Sequence, residues 1–282
     1  MRISEIGTIP AGEHSEEILV DGIAKYSGNI KCMELEINGV LNGDGNIECE
    51  RSVEVDGACK IRGDLSGGSL GVDGALKIEG NVRVGGSCEV DGALEMIADG
   101  DLEAGRLSVD GAIRVNGNVK VEDEFDTDGA SKIKGDVKCD SLTVDGALHA
   151  GGGIEAETVE VDGAIECGGL LNAESINVTL TGNCRDRAGS IGGEEIRIKI
   201  GENGRISDNH FFPKFVGVIM DEGRFTVDEY IEGDTVEIEN VTVPVVTGRI
   251  VSIGAGCDID TVRYSEQCEV SPDAKVGKVE QI

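Results

Sequence analysis

The tripeptide Val-Asp-Gly recurs along the chain and places a carboxylate at nearly regular intervals of 17 to 19 residues. The aspartates of these tripeptides, with two variant copies at Asn38 and Asp128, are Asp21, Asn38, Asp56, Asp73, Asp91, Asp110, Asp128, Asp145 and Asp162. A ladder of carboxylates could hold calcium, as in the Gly-Gly-x-Gly-x-Asp nonapeptide repeats, but that nonapeptide does not occur here. Because Asp and Asn both start turns by local hydrogen bonding, we favour a turn role over a specific divalent cation site.

The cysteines and histidines are the other residue types that could carry chemistry. The nine cysteines are an odd number without any Cys-x-x-Cys spacing, so we predict reduced thiols rather than disulfides or a metal site. Six of them fall in apolar columns of the repeat and Cys184, Cys257 and Cys268 remain unassigned; the six are Cys32, Cys49, Cys59, Cys88, Cys139 and Cys167. None of His14, His149 and His210 has a recognisable partner acid, and no phosphate-binding Gly-x-x-x-x-Gly-Lys-Ser/Thr loop is present. We therefore predict no enzyme, no cofactor and no small-molecule substrate.

Composition restricts the partners. The chain has 25 Lys+Arg against 55 Asp+Glu, a formal net charge of −30, which repels nucleic-acid phosphates. Its 43 glycines among 282 residues are about twice the ordinary share, and Trp is absent. The glycines do not follow a three-residue period, which excludes collagen. These values favour an acidic repeat protein that binds no nucleic acid.

The repeats predict the fold. Relative to each repeat aspartate, apolar residues fall at positions −3 and −1, at +3 and +5, and at +9 and +11, with glycine at +1 and usually at +7. Apolar residues two apart indicate short strands with alternate side chains inward. Three such pairs per repeat predict an all-β, three-sided parallel β-helix with about 17 to 18 residues per coil. Its coils stack at about 4.8 Å so that backbone groups pair between successive coils.

The rhythm changes after Asp162 and suggests the domain organisation. We predict an N-terminal leader at 1–17 that could cap one end, a regular β-helix at 18–194, and a second β-helical segment at 195–282. The stretch from Arg185 to Gly193 is expected to be a broken or loosened coil. The start of the chain lacks an apolar signal region, so the cytoplasm is the expected location.

An interruption at about 202–224 concentrates aromatic and aliphatic residues. We consider three roles for this loop: packing over the β-helix, self-association or contact with a membrane. The residues predicted to make such self-association or membrane contacts are Phe211, Phe212, Phe215, Val218 and Ile219.

The coils also carry a family resemblance. The Val-Asp-Gly coils, together with residues 231–241 and 251–265, resemble the bactofilins, a polymer-forming cytoskeletal family. The resemblance implies a right-handed parallel β-helix that assembles end to end into filaments without nucleotide, often as a scaffold near the membrane. This chain is much longer than a usual bactofilin core and lacks an apolar N-terminal membrane segment.

The predicted function is a self-assembling cytoskeletal scaffold whose partner is another copy of itself, with membrane-proximal partners and membrane association as further expectations. End coils of a β-helix expose unpaired strand edges, which soluble proteins must cap or pair. Residues predicted to make end contacts are Ile18, Val20, Val276 and Val279. The alternative is a non-polymerising acidic β-helical adaptor that recruits a basic partner.

Overall fold

A computed structural model describes residues 1–181, 185–201 and 223–282, with the side chain of Arg185 left out. Every regular element in these ranges is a β-strand, and no helix occurs among them. The chain forms two compact units, Met1–Ser141 with Ala147–Gly151, and Leu142–Gly146 with Gly152–Ile282. The domain boundaries predicted from the sequence, at residues 17/18 and 194/195, divide the chain differently from these two units. The predicted domains stay a prediction.

The first unit is a parallel β-solenoid with three short strands in most coils. β4, β5 and β6 make up one coil, and they pair in parallel with β7, β8 and β9 of the next. From Arg2 to Ala150 the strands are β1 (Arg2–Ile3), β2 (Ile6–Ile9), β3 (Gly12–Glu13), β4 (Ile18–Val20), β5 (Ile23–Ser27), β6 (Ile30–Cys32), β7 (Leu35–Ile37), β8 (Val40–Asp44), β9 (Ile47–Cys49), β10 (Ser52–Val55), β11 (Ala58–Arg62), β12 (Leu65–Gly67), β13 (Ser69–Val72), β14 (Ala75–Ile78), β15 (Val82–Val90), β16 (Ala93–Met96), β17 (Leu102–Val109), β18 (Ala112–Val115), β19 (Val119–Val121), β20 (Glu124–Thr127), β21 (Ala130–Ile133), β22 (Val137–Lys138), β23 (Ser141–Val144) and β24 (Ala147–Ala150).

The predicted inward columns form the core of this unit. Val55, Val72 and Val90 stack in register and are buried, as the repeat spacing requires. Leu76 and Leu94 do the same on the next face. Alternate residues of each strand therefore point inward, and the all-β, three-sided parallel prediction is confirmed.

The corner after each repeat aspartate explains its glycine. The backbone N–H groups of Asp56 and Gly57 both donate to the carbonyl oxygen of Ile37 in the preceding coil, at 3.0 and 2.8 Å. A Cβ on Gly57 would lie 2.0 Å from the carbonyl oxygen of Gly39, far closer than van der Waals contact between carbon and oxygen allows. Because glycines stack directly on glycines at this corner, no larger residue fits.

The second unit is also a parallel solenoid but contains much longer strands. β27 and β28 run through corners without a break, and β28 pairs with both β27 and β30. From Ile154 onward the strands are β25 (Ile154–Glu155), β26 (Thr158–Val161), β27 (Ala164–Leu180), β28 (Arg185–Ile200), β29 (Arg224–Val227), β30 (Tyr230–Ile238), β31 (Val241–Ile253), β32 (Asp258–Val270) and β33 (Lys275–Gln281).

The expectation of a broken or loosened coil between Arg185 and Gly193 holds only in part. This stretch lies inside the continuous strand β28 and pairs with β30 from Ile191 onward, but its register with β27 shifts between Ala188 and Ser190. The charged residues of this stretch suggested a break in the strand, but Arg187 is exposed while Ala188 and Ile191 are buried in the core. The strand pattern survives, although Asp186 occupies one of its buried positions.

Candidate functional site

The first coil of the first unit leaves one strand edge open. Its strands β1, β2 and β3 pair with β4, β5 and β6, and within the described residues they have no partner on the other side. The backbone N–H of Ile23 donates to the carbonyl oxygen of Glu5 at 2.7 Å. Because alternate residues of a parallel strand bond to opposite sides, Ile6 and Thr8 direct their backbone groups to the open edge. This edge can accept another strand.

Large apolar side chains are exposed beside this edge. Ile6, Ile23 and Val40 stack in register on successive coils and are 85%, 47% and 42% exposed. Exposed alanines, beginning with Ala58 and Ala75, continue the same column. The column is therefore most apolar where the strand edge is open.

The last strand of the second unit has a similar open side. β33 pairs with β32 and with no other strand in the described part of the chain. Val279 and Ile282 are exposed there, whereas Val276 is half-buried. Like the first coil, this strand combines unpaired backbone groups with exposed apolar side chains.

The four residues predicted to make end contacts occupy different environments. Ile18 and Val20 belong to the second coil and are fully buried beside β1, where Arg2 pairs with Leu19 and Ile3 with Val20. Much of the predicted leader is thus a coil of the solenoid. The contact of Val276 and Val279 with another copy stays a prediction.

The predicted aromatic-loop residues Phe211, Phe212, Phe215, Val218 and Ile219 lie outside the described residues. Their role in self-association or membrane contact stays a prediction. No helix in the described residues is long and apolar enough to cross a membrane.

Comparison with known proteins identifies the part of the chain that contains the first open edge. Residues 5–83 match the model of the bactofilin family, which is described as polymer-forming cytoskeletal. These residues form a bactofilin domain. The match covers the N-terminal Val-Asp-Gly coils, so the resemblance predicted for residues 231–265 is a separate prediction.

One curated relative is itself uncharacterised. The YhbF protein of Bacillus subtilis (strain 168) is 42% identical over 50 residues, which cover 18% of this chain and 21% of the relative. The aligned part thus spans about a fifth of that protein's length. No solved structure matches the chain.

In the first unit the repeat aspartates form an exposed ladder on the surface. Hydrogen bonds from Asn38 and Arg2 lower the pKa of the Asp21 carboxyl, whereas desolvation and the neighbouring carboxylates Asp110 and Asp73 raise that of Asp91. The described residues contain no group of three or more His, Cys, Asp or Glu side chains placed to hold a metal ion. The ladder is therefore a surface of like charges relieved locally by hydrogen bonds.

A second ladder of Asn and Asp side chains was not predicted from the sequence. At the corner after the second glycine of each coil, the side-chain oxygen of one residue accepts the backbone N–H of the equivalent residue in the next coil. Six such bonds of 2.7 to 3.1 Å connect Asn29, Asn46, Asp64, Asn81, Asp101, Asn118 and Asp136. The signal was visible as Gly-Asn or Gly-Asp seven to eight residues after the repeat aspartate, with a longer spacing at Asp101.

The cysteines are packed as small core residues. The six assigned to inward columns are buried, as predicted, and Cys257 is buried as well. Cys268 is half-buried, and Cys184 lies outside the described residues. Burial raises the pKa of Cys59 and of Cys88 to about 12, which keeps these thiols protonated and unreactive.

Cys32 and Cys49 form the closest thiol pair in the bactofilin domain. They occupy equivalent positions on β6 and β9, and their Sγ atoms are 2.8 Å apart. The hydrogen bond between them lowers the pKa of Cys32 and raises that of Cys49. Both side chains are enclosed, so the pair packs within the core.

The two described histidines lie in different environments of the first unit. A ring nitrogen of His14 is 2.8 Å from the carbonyl oxygen of Pro10, and His149 is a half-buried residue of β24. His210 lies outside the described residues. The family matched by residues 5–83 is a structural one, and the absence of enzymatic activity in this chain stays a prediction.

Proposed function

We propose that this chain is a cytoskeletal scaffold that self-assembles end to end without a nucleotide. The observation that carries the proposal is the open edge of β1, β2 and β3, which overlaps the residues matched to a polymer-forming family. An unpaired edge can extend a solenoid by one more coil from a second copy. Non-polar filaments would require like ends to meet, and a heterologous contact would give polar ones.

The apolar column beside this edge supports the proposal. Pairing the edge with another copy would cover Ile6 and could cover part of Ile23. Burial of an exposed Ile side chain contributes on the order of 1.5 to 3 kcal/mol. Hydrogen bonds from Ile6 and Thr8 would fix the register of the contact.

Net charge opposes this assembly. Two copies of a chain with a formal charge of −30 repel each other, and this repulsion decreases as salt shortens the Debye length to about 8 Å at 0.15 M. Assembly is therefore expected to increase between 20 mM and 500 mM salt in light scattering. Scattering that stays flat or falls over this range contradicts the proposal.

A proline in the open edge tests the contact directly. Thr8 is exposed and directs its N–H outward, so Thr8→Pro removes an edge donor without breaking a bond to β5. We expect Thr8→Pro to abolish polymers in nucleotide-free buffer, with Thr8→Ala as the matched control. The readouts are sedimentation and negative-stain electron microscopy, with circular dichroism to confirm folding.

The same experiment separates the proposed scaffold from an adaptor. Polymers of the unmodified chain that persist in Thr8→Ala and disappear in Thr8→Pro support assembly through this edge. Polymers that persist in Thr8→Pro place the contact elsewhere and overturn the proposed edge. A chain that stays monomeric at every salt concentration overturns the scaffold itself.

A further inference from the structure

An open groove on the second unit has a volume of about 750 Å³, and its floor crosses four successive coils. Its floor is a column of small residues, Ala173, Gly193, Gly233 and Gly248, stacked in register. A Cβ on Gly193 would lie 2.4 Å from the carbonyl oxygen of Ala173, so no side chain fits at this position of the floor. The walls are formed by the residues on either side of this column.

One wall of the groove carries unpaired negative charge. Glu174, Glu194 and Asp234 form this wall, at the position after the floor on three successive coils. A fourth carboxylate, Glu232, lies before the floor, on the side that also carries Tyr230. All four are exposed and form no ion pair within the described residues. Carboxylates on coils stacked at about 4.8 Å repel one another, and a cationic ligand would relieve this repulsion.

The one cationic side chain of the groove does not neutralise this wall. Arg249 follows the wall carboxylates on the next coil but forms an ion pair with Glu266, at 2.7 Å between nitrogen and oxygen. Four carboxylates against one Arg give the lining a net charge of −3, and the Arg is already paired. The groove is thus complementary to positive charge.

The opposite wall carries apolar side chains. Leu170 and Tyr230 are separated by Ser190 in a column three residues before the floor, and Ile282 also lines the groove. These three belong to the few large apolar residues that remain exposed among the described residues. A small polycation such as a polyamine would leave them uncovered.

We propose that this groove binds an extended basic peptide in which Lys or Arg alternates with apolar residues. Side chains of an extended chain alternate in direction, so one set would face the carboxylate wall and the other Leu170 and Tyr230. Four coils at about 4.8 Å span about 14 Å, which corresponds to four or five residues of such a peptide. The proposal gives the chain a docking surface for a partner in addition to its proposed self-assembly.

Fluorescence anisotropy with a labelled heptapeptide of alternating Lys and Leu tests the proposal on the full chain. The groove variant Glu232→Gln/Asp234→Asn is compared with Glu157→Gln/Glu160→Gln, which removes two equally exposed charges of the same unit outside the groove. We expect the groove variant to weaken binding on the order of tenfold, equivalent to about 1.4 kcal/mol, and the control less than twofold. Circular dichroism establishes that both variants are folded.

Apolar recognition is tested separately. Tyr230→Ser is expected to weaken binding of the Lys-Leu peptide about threefold while leaving a Lys-Ser peptide unaffected, and Val270→Ser, outside the groove, is the control. Equal losses in both charge variants would show non-specific attraction to an acidic protein and overturn the proposal. So would the absence of binding, or equal displacement of the peptide by spermidine. A groove variant that changes sedimentation without peptide assigns the groove to a second copy and also overturns it.

Discussion

The coils of both units are stacked by parallel backbone hydrogen bonds, but the chain turns the corners between strands differently in the two units. In the first unit most strands are two to five residues long, and the corners between them contain stacked glycines and an Asn/Asp ladder from Asn29 to Asp136. In the second unit β27, β28, β31 and β32 have 13 to 17 residues and continue through corners. At the sharp corners, the Asn/Asp hydrogen bonds and the close packing of stacked glycines set the register between coils. At the gradual corners, the register depends on the backbone hydrogen bonds between strands and on the packing of the core.

The second unit, with its gradual corners, contains a groove with a glycine floor and a buried carboxylate. The glycine floor of the groove lies within β28, β30 and β31, where the backbone stays in strand conformation. Asp186 occupies a buried position that Ile165 and Phe225 fill in the adjacent coils. The comparison predicts that corner substitutions damage the first unit most and that a buried charge makes the second unit sensitive to pH.

The largest effect is expected at a sharp corner. Gly57→Ala places a Cβ 2.0 Å from the carbonyl oxygen of Gly39, and relief requires two coils to separate. The free energy of unfolding should fall by about 3 kcal/mol or more in urea titrations followed by circular dichroism.

Gly85→Ala is the matched control for this corner. Gly85 lies in the same unit, in β15, and a Cβ there would have no other atom within 4 Å. We expect a change within about 0.5 kcal/mol, since no strain is introduced. Equal losses for Gly57→Ala and Gly85→Ala would show that corner packing does not set the stability of this unit.

The next effect concerns Asp186 in the second unit. One of its oxygens accepts the Ile165 N–H at 2.9 Å, while the other, Oδ2, is buried without a hydrogen-bond partner in the described structure. Burial raises its pKa from 3.8 to about 6, and the Ile165 N–H partly opposes this rise. The folded state therefore binds this proton more tightly than the unfolded state does, and the stability from this group is lost as pH rises from about 4 through 6.

Asp186→Asn keeps the acceptor for Ile165 and removes the titration. The variant should equal the unmodified protein near pH 4 and exceed it by about 2 to 3 kcal/mol at pH 7.5 in urea unfolding. Asp228→Asn, at an exposed position of the same unit, controls for the change in net charge. A constant difference between Asp186→Asn and the unmodified protein across this range would contradict the buried charge.

A smaller effect is expected in the Asn/Asp ladder of the first unit. Asp64 accepts the backbone N–H of Asn81 at 2.7 Å and its side-chain amide at 3.1 Å. Asp64→Ala leaves that backbone donor without its partner and should cost about 1 to 3 kcal/mol, whereas Asp64→Asn keeps the acceptor and should cost less than half as much. Thermal unfolding of the two variants is the measurement, and similar losses would show that the ladder contributes only its turn preference.

The sequence specified the strands and the core but only part of the surface chemistry. Val72 and Val90 were predictable because burial selects aliphatic residues at a fixed period. The ladder through Asn81 was missed since Asn and Asp are also common turn residues, so their identity does not reveal a bond to the next coil. Asp186 was missed because a charge in an apolar column resembles a break in the pattern.

The groove could not be predicted for a related reason. Its wall residues Glu194 and Asp234 are forty positions apart in the sequence, about twice the repeat spacing, so the repeat does not predict that they are neighbours. The buried hydroxyl pair of Thr127 and Ser131, with oxygens 2.9 Å apart, likewise replaces two apolar core residues by a mutual hydrogen bond. Whether a buried polar residue is satisfied depends on which residues lie next to it in space. The pattern of apolar and polar residues along the sequence does not give that information.

The smallest effect is expected for the surface ion pairs that cross coils in the second unit. Arg187 and Asp228 form a bidentate pair with nitrogen–oxygen distances of 2.9 to 3.2 Å, yet their side chains are 57% and 41% exposed. Because solvent screens such pairs, a double-mutant cycle of Arg187→Gln and Asp228→Asn should give a coupling of about 0 to 1 kcal/mol, smaller at 500 mM salt. A salt-independent coupling above about 2 kcal/mol would mean that ion pairs hold the gradual corners together as the Asn/Asp ladder holds the sharp ones. A small coupling leaves the backbone ladder and the core as the source of stability there.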